Sequence, residues 1–135
     1  MAELGDNVDR ATFDQILEMD ESEEDREFSK PLILGFFEQA EETFVKMDFA
    51  LKHANMKELY SLGHFLKGSS ATLGFTKVRD SCQIIQQYGN GVTLDNTPEP
   101  NQDVCIAQIT KALAQAKKDM EELKRLLLVF FNGEM

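Results

Sequence analysis

The sequence predicts an all-α fold: an antiparallel four-helix bundle with one short additional helix at the N-terminus. Three observations carry this. Apolar residues recur in steps of three and four along most of the chain. No segment sustains the alternation of a half-buried strand. The 8 Gly and 3 Pro are clustered, which leaves long stretches without a helix breaker. The 135 residues suit one domain, and a 42% hydrophobic content with 10 Phe can build a core without disulfides. Residues 1–135 are therefore expected to form a single unit, with the polar stretch 1–10 mobile.

Thr12 is placed to N-cap the short first helix, with Gln15 completing a capping box and Phe13, Ile16 and Leu17 forming the apolar face. The acidic run Asp20–Asp25 lacks the glycine and ligand spacing of a calcium loop and reads as a solvated turn. Ser29 reads as the cap of the second helix, with Pro31 in the first turn, where a missing N–H costs nothing. Its stripe is Leu32, Phe36, Phe37, Ala40, Phe44, Met47 and Leu51, and His53-Ala54-Asn55 ends it. The third helix is expected from Met56 to Leu73, stopped by Gly74. Thr76 reads as the cap of a fourth, carrying Val78, Cys82, Ile85 and Tyr88 and closed by Gly89-Asn90-Gly91. Pro98 and Pro100 mark a loop. The last helix spans Gln102 to Phe131, with Cys105, Ile109, Ala112, Ala116, Met120, Leu123, Leu127 and Phe130 in helical spacing. Some 30 residues at 1.5 Å each reach roughly 45 Å, so its end is expected to overhang the bundle or fray.

Charge and composition exclude several functions. With 14 Lys+Arg against 24 Asp+Glu the net charge is −10, the wrong sign for nucleic acid or an anionic membrane surface. There is no run of about 18 apolar residues and no basic, apolar start of a secretory signal. Cys82 and Cys105 both fall in helical patterns and are expected as buried thiols in a reducing compartment, the cytoplasm or nucleus. Without a Cys-x-x-Cys or His-x-x-x-His pair, a metal site lacks its ligands.

The informative segment is Gly63-His64-Phe65-Leu66-Lys67-Gly68-Ser69-Ser70-Ala71-Thr72-Leu73-Gly74. On a wheel of about 100° per residue, Leu59, Leu62, Phe65, Leu66, Ser69 and Leu73 share an arc that reads as the core face. Ser69 is thereby expected to point inward and bond a backbone carbonyl. His64 falls almost opposite, with Lys57, Tyr60, Lys67, Gly68 and Ala71, and is therefore expected to be exposed. Lys67 and Gly68 lie on the next turn beside it. A mid-helix glycine costs about 1 kcal/mol against alanine, and clearance for a bulky group or a second protein would offset that cost. Lys67 supplies a mobile positive charge suited to a phosphoryl group. Taken one at a time, a lone exposed histidine is usually only solvated, a surface lysine is ordinary, and a glycine can serve helix packing. Gathered on one outward face, the three favour a histidine that carries phosphate. His53 lacks such a setting and reads as a helix-end surface residue.

The run His64-Phe65-Leu66-Lys67-Gly68-Ser69-Ser70-Ala71 with Leu73-Gly74 resembles the signature of histidine-containing phosphotransfer (HPt) proteins, most of all the fungal members of multistep phosphorelays. The similarity continues through Cys82, Ile85, Gln86 and Gly89 and touches Met19, the acidic run and Phe28-Ser29-Lys30 upstream. The resemblance implies a four-helix bundle with the phosphorylated histidine exposed midway along one helix. It implies that His64 accepts a phosphoryl group from an aspartate of one receiver domain, that of a hybrid histidine kinase, and passes it to the aspartate of a response regulator's receiver. On the same resemblance Lys67 stabilises phosphoryl charge, Gly68 gives the receiver clearance, and Gln86 supports the histidine from the next helix. Ile16 and Met19 become docking residues, with Lys57 and Lys67 at the rim. Asn90 departs from the pattern, since a basic residue follows the glycine in close relatives.

The chemistry agrees with a carrier. Neutral imidazole, the form that predominates at pH 7 for an ordinary histidine, is the nucleophile. Phosphoryl transfer chiefly needs in-line placement and charge neutralisation. No intrinsic cofactor is expected, and the Mg²⁺ is expected on the partner receiver. Lys67-Gly68-Ser69 superficially resembles a phosphate loop, but its order and glycine spacing are wrong, so autonomous kinase activity is not expected. The chain is expected to act as a monomer. The competing reading is a non-catalytic helical interaction module with His64 unphosphorylated. A metal or haem bundle needs inward ligands, which an outward His64 cannot supply.

Overall fold

A computed structural model describes residues 2–22 and 26–131. A 3₁₀ helix over Ala2–Asn7 leads into five α-helices. These are α1 (Arg10–Leu17), α2 (Ser29–Lys52), α3 (Met56–Leu73), α4 (Thr76–Gly89) and α5 (Gln102–Phe130). Consecutive helices α2, α3, α4 and α5 pack side by side, and α5 returns against α2, closing a four-helix bundle. The only β-type pairing among the described residues is an isolated bridge, Val92 to Pro98, inside the α4–α5 connection.

The core is continuous along the bundle. Ile33 and Met47 of α2, Leu59 and Leu66 of α3, Ile85 of α4, and Ile109, Leu123 and Leu127 of α5 are fully buried. At one end Phe13 of α1 meets Phe75 at 6.2 Å between ring centroids and Phe130 at 5.7 Å, and Phe36 meets Phe75 at 5.1 Å. The short first helix is therefore a lid on the bundle, held by aromatic packing at favourable separations. The α5 terminus is roofed rather than overhanging. Phe131 is buried, and the guanidinium groups of Arg10 and Arg26 lie over the Phe130 ring at 5.7 and 5.8 Å.

Several expectations are corrected. The α1 cap is Asp9, which accepts from Ala11 N–H, while Thr12 sits inside the helix and donates its hydroxyl to Asp9 at 2.9 Å. The stretch leading into α1 contacts the bundle: Asp9 N–H bonds the Gly74 carbonyl at 2.7 Å, and Asn7 and Val8 are buried. Thr76 is the first residue of α4 and donates to the Asp6 carbonyl, with Phe75 in the cap position. Leu32 is exposed and its neighbour Ile33 occupies the core, because the buried arc of α2 runs Ile33, Phe36, Phe37, Ala40.

Asp20 is the largest correction. Its side chain is only 1% exposed and pairs with Arg26. It accepts from the backbone N–H of Phe28 at 2.8 Å, the N–H of Ser29 at 2.7 Å and the Ser29 hydroxyl at 2.6 Å. Asp20, nine residues upstream, thus caps α2, and Ser29 is its partner. Glu23, Glu24 and Asp25, the rest of the expected solvated turn, lie outside the described residues.

Candidate functional site

The third helix is bounded as its sequence requires. Asn55 accepts from Glu58 N–H at the N-terminus, and Gly74 takes the left-handed conformation (φ 80°) at the C-terminus. Leu59, Leu62, Gly63, Leu66, Ser70 and Leu73 are its buried residues. His64, Gly68 and Ala71 consequently face solvent, and Lys67 is half-buried. Among the described residues no carboxylate pairs with Lys67 and no hydrogen bond holds His64. The ammonium charge therefore stays available to an incoming anion. A Cβ on Gly68 would meet nothing within 4 Å. One turn beyond His64 the helix surface thus has an open notch.

On the inner side, two glycines set the spacing between α3 and α4. A Cβ on Gly63 would lie 2.8 Å from Gln86 N and 3.2 Å from the Cys82 carbonyl. A Cβ on Gly89 would lie 2.6 Å from Tyr60 N. The two backbones cross with no side chain between them, and Gln86 is brought directly behind the residue that precedes His64. Its Oε1 is buried and has no hydrogen-bond partner among the described residues. The sequence held a signal for these glycines. Gly63 follows Leu59 and Gly89 follows Ile85 by four residues, so each continues an apolar stripe.

Beside His64, the Tyr60 ring is stacked on the imidazole, 6.3 Å between centroids and 9° from parallel. Tyr60, Gln83, Gln86, Gln87, Asn90 and Asn96 line an open pocket of about 420 Å³. These side chains are polar, and Val92 completes the lining. Asn90, at the end of α4, contributes an amide where a basic residue is expected in close relatives. Gln87 donates to the Thr93 carbonyl at 2.8 Å and to Asn96 Oδ1 at 3.2 Å, which pins the α4–α5 turn against α4.

The other flank is apolar. Phe65, expected in the core, is 48% exposed. It lies at the edge of the apolar arc, and Leu62, Leu66 and Ser70 fill the interior. Ser70, not Ser69, is the buried serine that bonds a backbone carbonyl, that of Leu66, at 2.7 Å. Ser69 instead lines a groove of about 330 Å³ with Leu32, Gly35, Phe36, Gln39 and Thr72. Leu32 and Phe28 are exposed as well. Of the two docking residues expected from α1, Met19 is 61% exposed, whereas Ile16 is 9% exposed and belongs to the core. Ile16 therefore helps hold α1 on the bundle and offers little docking surface, since it is part of the buried core cluster. Lys57 is exposed in the first turn of α3. Tyr60 flanks His64 on the outward face expected for it, whereas Phe65 and Leu32, expected in the core, are exposed beside the site. Among the described residues no cluster of three His, Cys, Asp or Glu could hold a metal ion.

Comparison with known proteins agrees with this geometry. The Hpt domain family matches residues 32–118. The chain is 42% identical over 126 residues, 93% of its length, to Multistep phosphorelay regulator 1 of Schizosaccharomyces pombe. It is 51% identical over 89 residues, 66% of its length, to Phosphorelay intermediate protein YPD1 of Candida albicans. These stretches make up 42% and 47% of the two relatives, so the chain spans less than half of their length. Its fold superimposes with a TM-score of 0.82, at 29% identity, on Saccharomyces cerevisiae Ypd1 co-crystallised with the receiver domain of the response regulator Ssk1, covering 96% of this chain and 97% of that one. An exposed histidine on α3 of the four-helix bundle and a family match over most of the chain lead to one conclusion: this chain belongs to the Hpt domain family.

Proposed function

We propose that this chain is a histidine phosphotransfer intermediate of a two-component phosphorelay. The observation that carries the reading is the outward face of α3, where an exposed imidazole, an ammonium with no ion-pair partner among the described residues and a side-chain-free notch occupy adjacent turns. In the forward step an unprotonated imidazole nitrogen of His64 attacks the phosphorus of a receiver's aspartyl phosphate. The N–P bond forms, the P–O bond breaks, and its electron pair stays on the aspartate. The proton on the other ring nitrogen remains in place, so no further acid or base is needed. The reverse step on a second receiver restores the imidazole. Lys67 neutralises charge on the transferring group, the Gly68 notch admits the receiver's loops, and Gln86 supports the site from α4. Mg²⁺ belongs to the receiver, whose carboxylates would hold it.

The relatives' names and the Ypd1–Ssk1 receiver complex support a receiver domain as partner. Phe65, Leu32, Phe28 and Met19 are exposed apolar residues of the kind that bind protein, and Lys57 and Lys67 of α3 add positive charge. Two free, buried cysteines fit a reducing compartment, cytoplasm or nucleus.

Incubation with an aspartyl-phosphorylated receiver tests the reading against a purely adhesive bundle. The expected result is phosphate on the wild type, none on His64→Gln, and equal receiver binding by both. Binding without transfer in the wild type, across several competent receivers, would contradict it.

A further inference from the structure

We propose that Tyr60 is a positioning residue for His64, its ring holding the imidazole from the N-terminal side so that the phosphoryl donor approaches from the Gly68 side. The inference rests on the phosphoacceptor role proposed for His64 and adds the orientation of that nucleophile. Three observations carry it. The rings are four residues apart on one helix and stack 9° from parallel at 6.3 Å. Side chains on an α-helix lean toward its N-terminus, so His64 reclines over the turn that bears Tyr60 and away from the turn that bears Gly68. The Tyr60 main chain is itself fixed, because the Gly89 backbone lies so close that a Cβ there would sit 2.6 Å from Tyr60 N and 2.9 Å from its Cα. The ring is half-buried, walled by the amides of the adjacent pocket, Gln86 and Asn90 among them.

The consequence is a one-sided nucleophile. No hydrogen bond restrains the imidazole among the described residues, so the ring contact is what limits its rotation. Tyr60 closes one side, while beyond Gly68 nothing stands within 4 Å of where a side chain would begin. Orientation of a nucleophile before attack is a direct contribution to rate. Aromatic pairs of this kind are worth enough to change a rate roughly two- to tenfold.

The test compares wild type with Tyr60→Phe and Tyr60→Ala. In the unphosphorylated protein, the imidazole C–H resonances of His64 should move in Tyr60→Ala and not in Tyr60→Phe, while those of His53 stay fixed in both. Single-turnover transfer should slow two- to tenfold in Tyr60→Ala and return to within twofold of wild type in Tyr60→Phe. Thermal midpoint and receiver affinity should be unchanged, and the same slowing should appear with phosphoramidate, a small donor that makes no docking contacts. Wild-type rates in Tyr60→Ala would overturn the inference. So would slowing seen only with the receiver, which would make Tyr60 a docking contact. If the wild type accepts no phosphoryl group, the relay reading fails, and the resonances still judge the ring contact: unmoved His64 signals in Tyr60→Ala overturn it.

Discussion

Gly63 and Gln86 meet backbone to backbone: a Cβ on Gly63 would lie 2.8 Å from the Gln86 nitrogen and 3.1 Å from its Cα. Gly68, five residues along the same helix, would meet nothing. The two glycines of one motif therefore do opposite work. Gly63→Ala should push α3 from α4 and destabilise the fold by about 1–3 kcal/mol, the usual cost of overpacking. Gly68→Ala should stabilise it by up to about 1 kcal/mol, the propensity difference at an exposed helical site. Urea denaturation of the two variants measures both signs.

Lys67 lacks a carboxylate partner among the described residues, so its removal should leave stability within about 0.5 kcal/mol of wild type. Transfer to His64 should fall by about tenfold, because a partly exposed cation stabilises developing charge less than a buried one would. Rapid-quench kinetics of Lys67→Ala, with melting as control, checks the separation of the two effects.

Asp20 links stability to pH. Burial pushes its carboxyl up, but the bonds from the Ser29 hydroxyl, from the Ser29 and Phe28 amides and from Arg26 outweigh that and hold it below the ordinary value. The stabilisation is therefore complete above the unfolded value of about 3.9 and is lost as pH falls below it through the folded value. Asp20→Ala should cost about 1–3 kcal/mol at pH 7 by leaving buried donors unpaired. The gap between variant and wild type should narrow below pH 4, which denaturant titrations at pH 7 and pH 3 would show.

The Cys82 thiol, wholly buried on α4, is pushed up to about 12 by burial. Almost no thiolate forms at pH 8, and the thiolate is the reactive species. Native protein treated with an alkylating reagent at pH 8 should remain unmodified at Cys82, with labelling appearing only after unfolding, as read by mass spectrometry.

Much of this was legible in advance, for definite reasons. The bounds of α3, Met56 to Leu73, followed from a run of apolar residues ended by Gly74, whose φ of 80° a side chain would resist. His64 faced outward because a helical wheel depends on local geometry alone. What escaped were relationships between distant segments. Asp20 caps a helix nine residues away, and acidic neighbours in sequence gave no sign of its burial. Thr12 and Thr76 look like caps, but a local bond to the real cap Asp9 and a long-range bond to the Asp6 carbonyl assign them other roles. Phe65 and Ile16 sat at the margins of apolar arcs, where packing partners decide exposure; one turned out and the other in. Gly63 and Gly89 continue apolar stripes, but the close crossing they permit involves two helices at once, and a single stripe does not show it.

The chain has 2 histidines, and only His64 stands on the face that carries Lys67 and the Gly68 notch. The most direct test is therefore phosphorus-31 NMR of the protein after exchange with a phosphorylated receiver, with ¹⁵N-imidazole labelling to read which ring bears the phosphorus. The account predicts a single phosphoramidate signal coupled to His64, labile in acid, stable in alkali, and absent from His64→Gln. A signal on His53, on an acidic side chain, or on none of the protein's residues would contradict it.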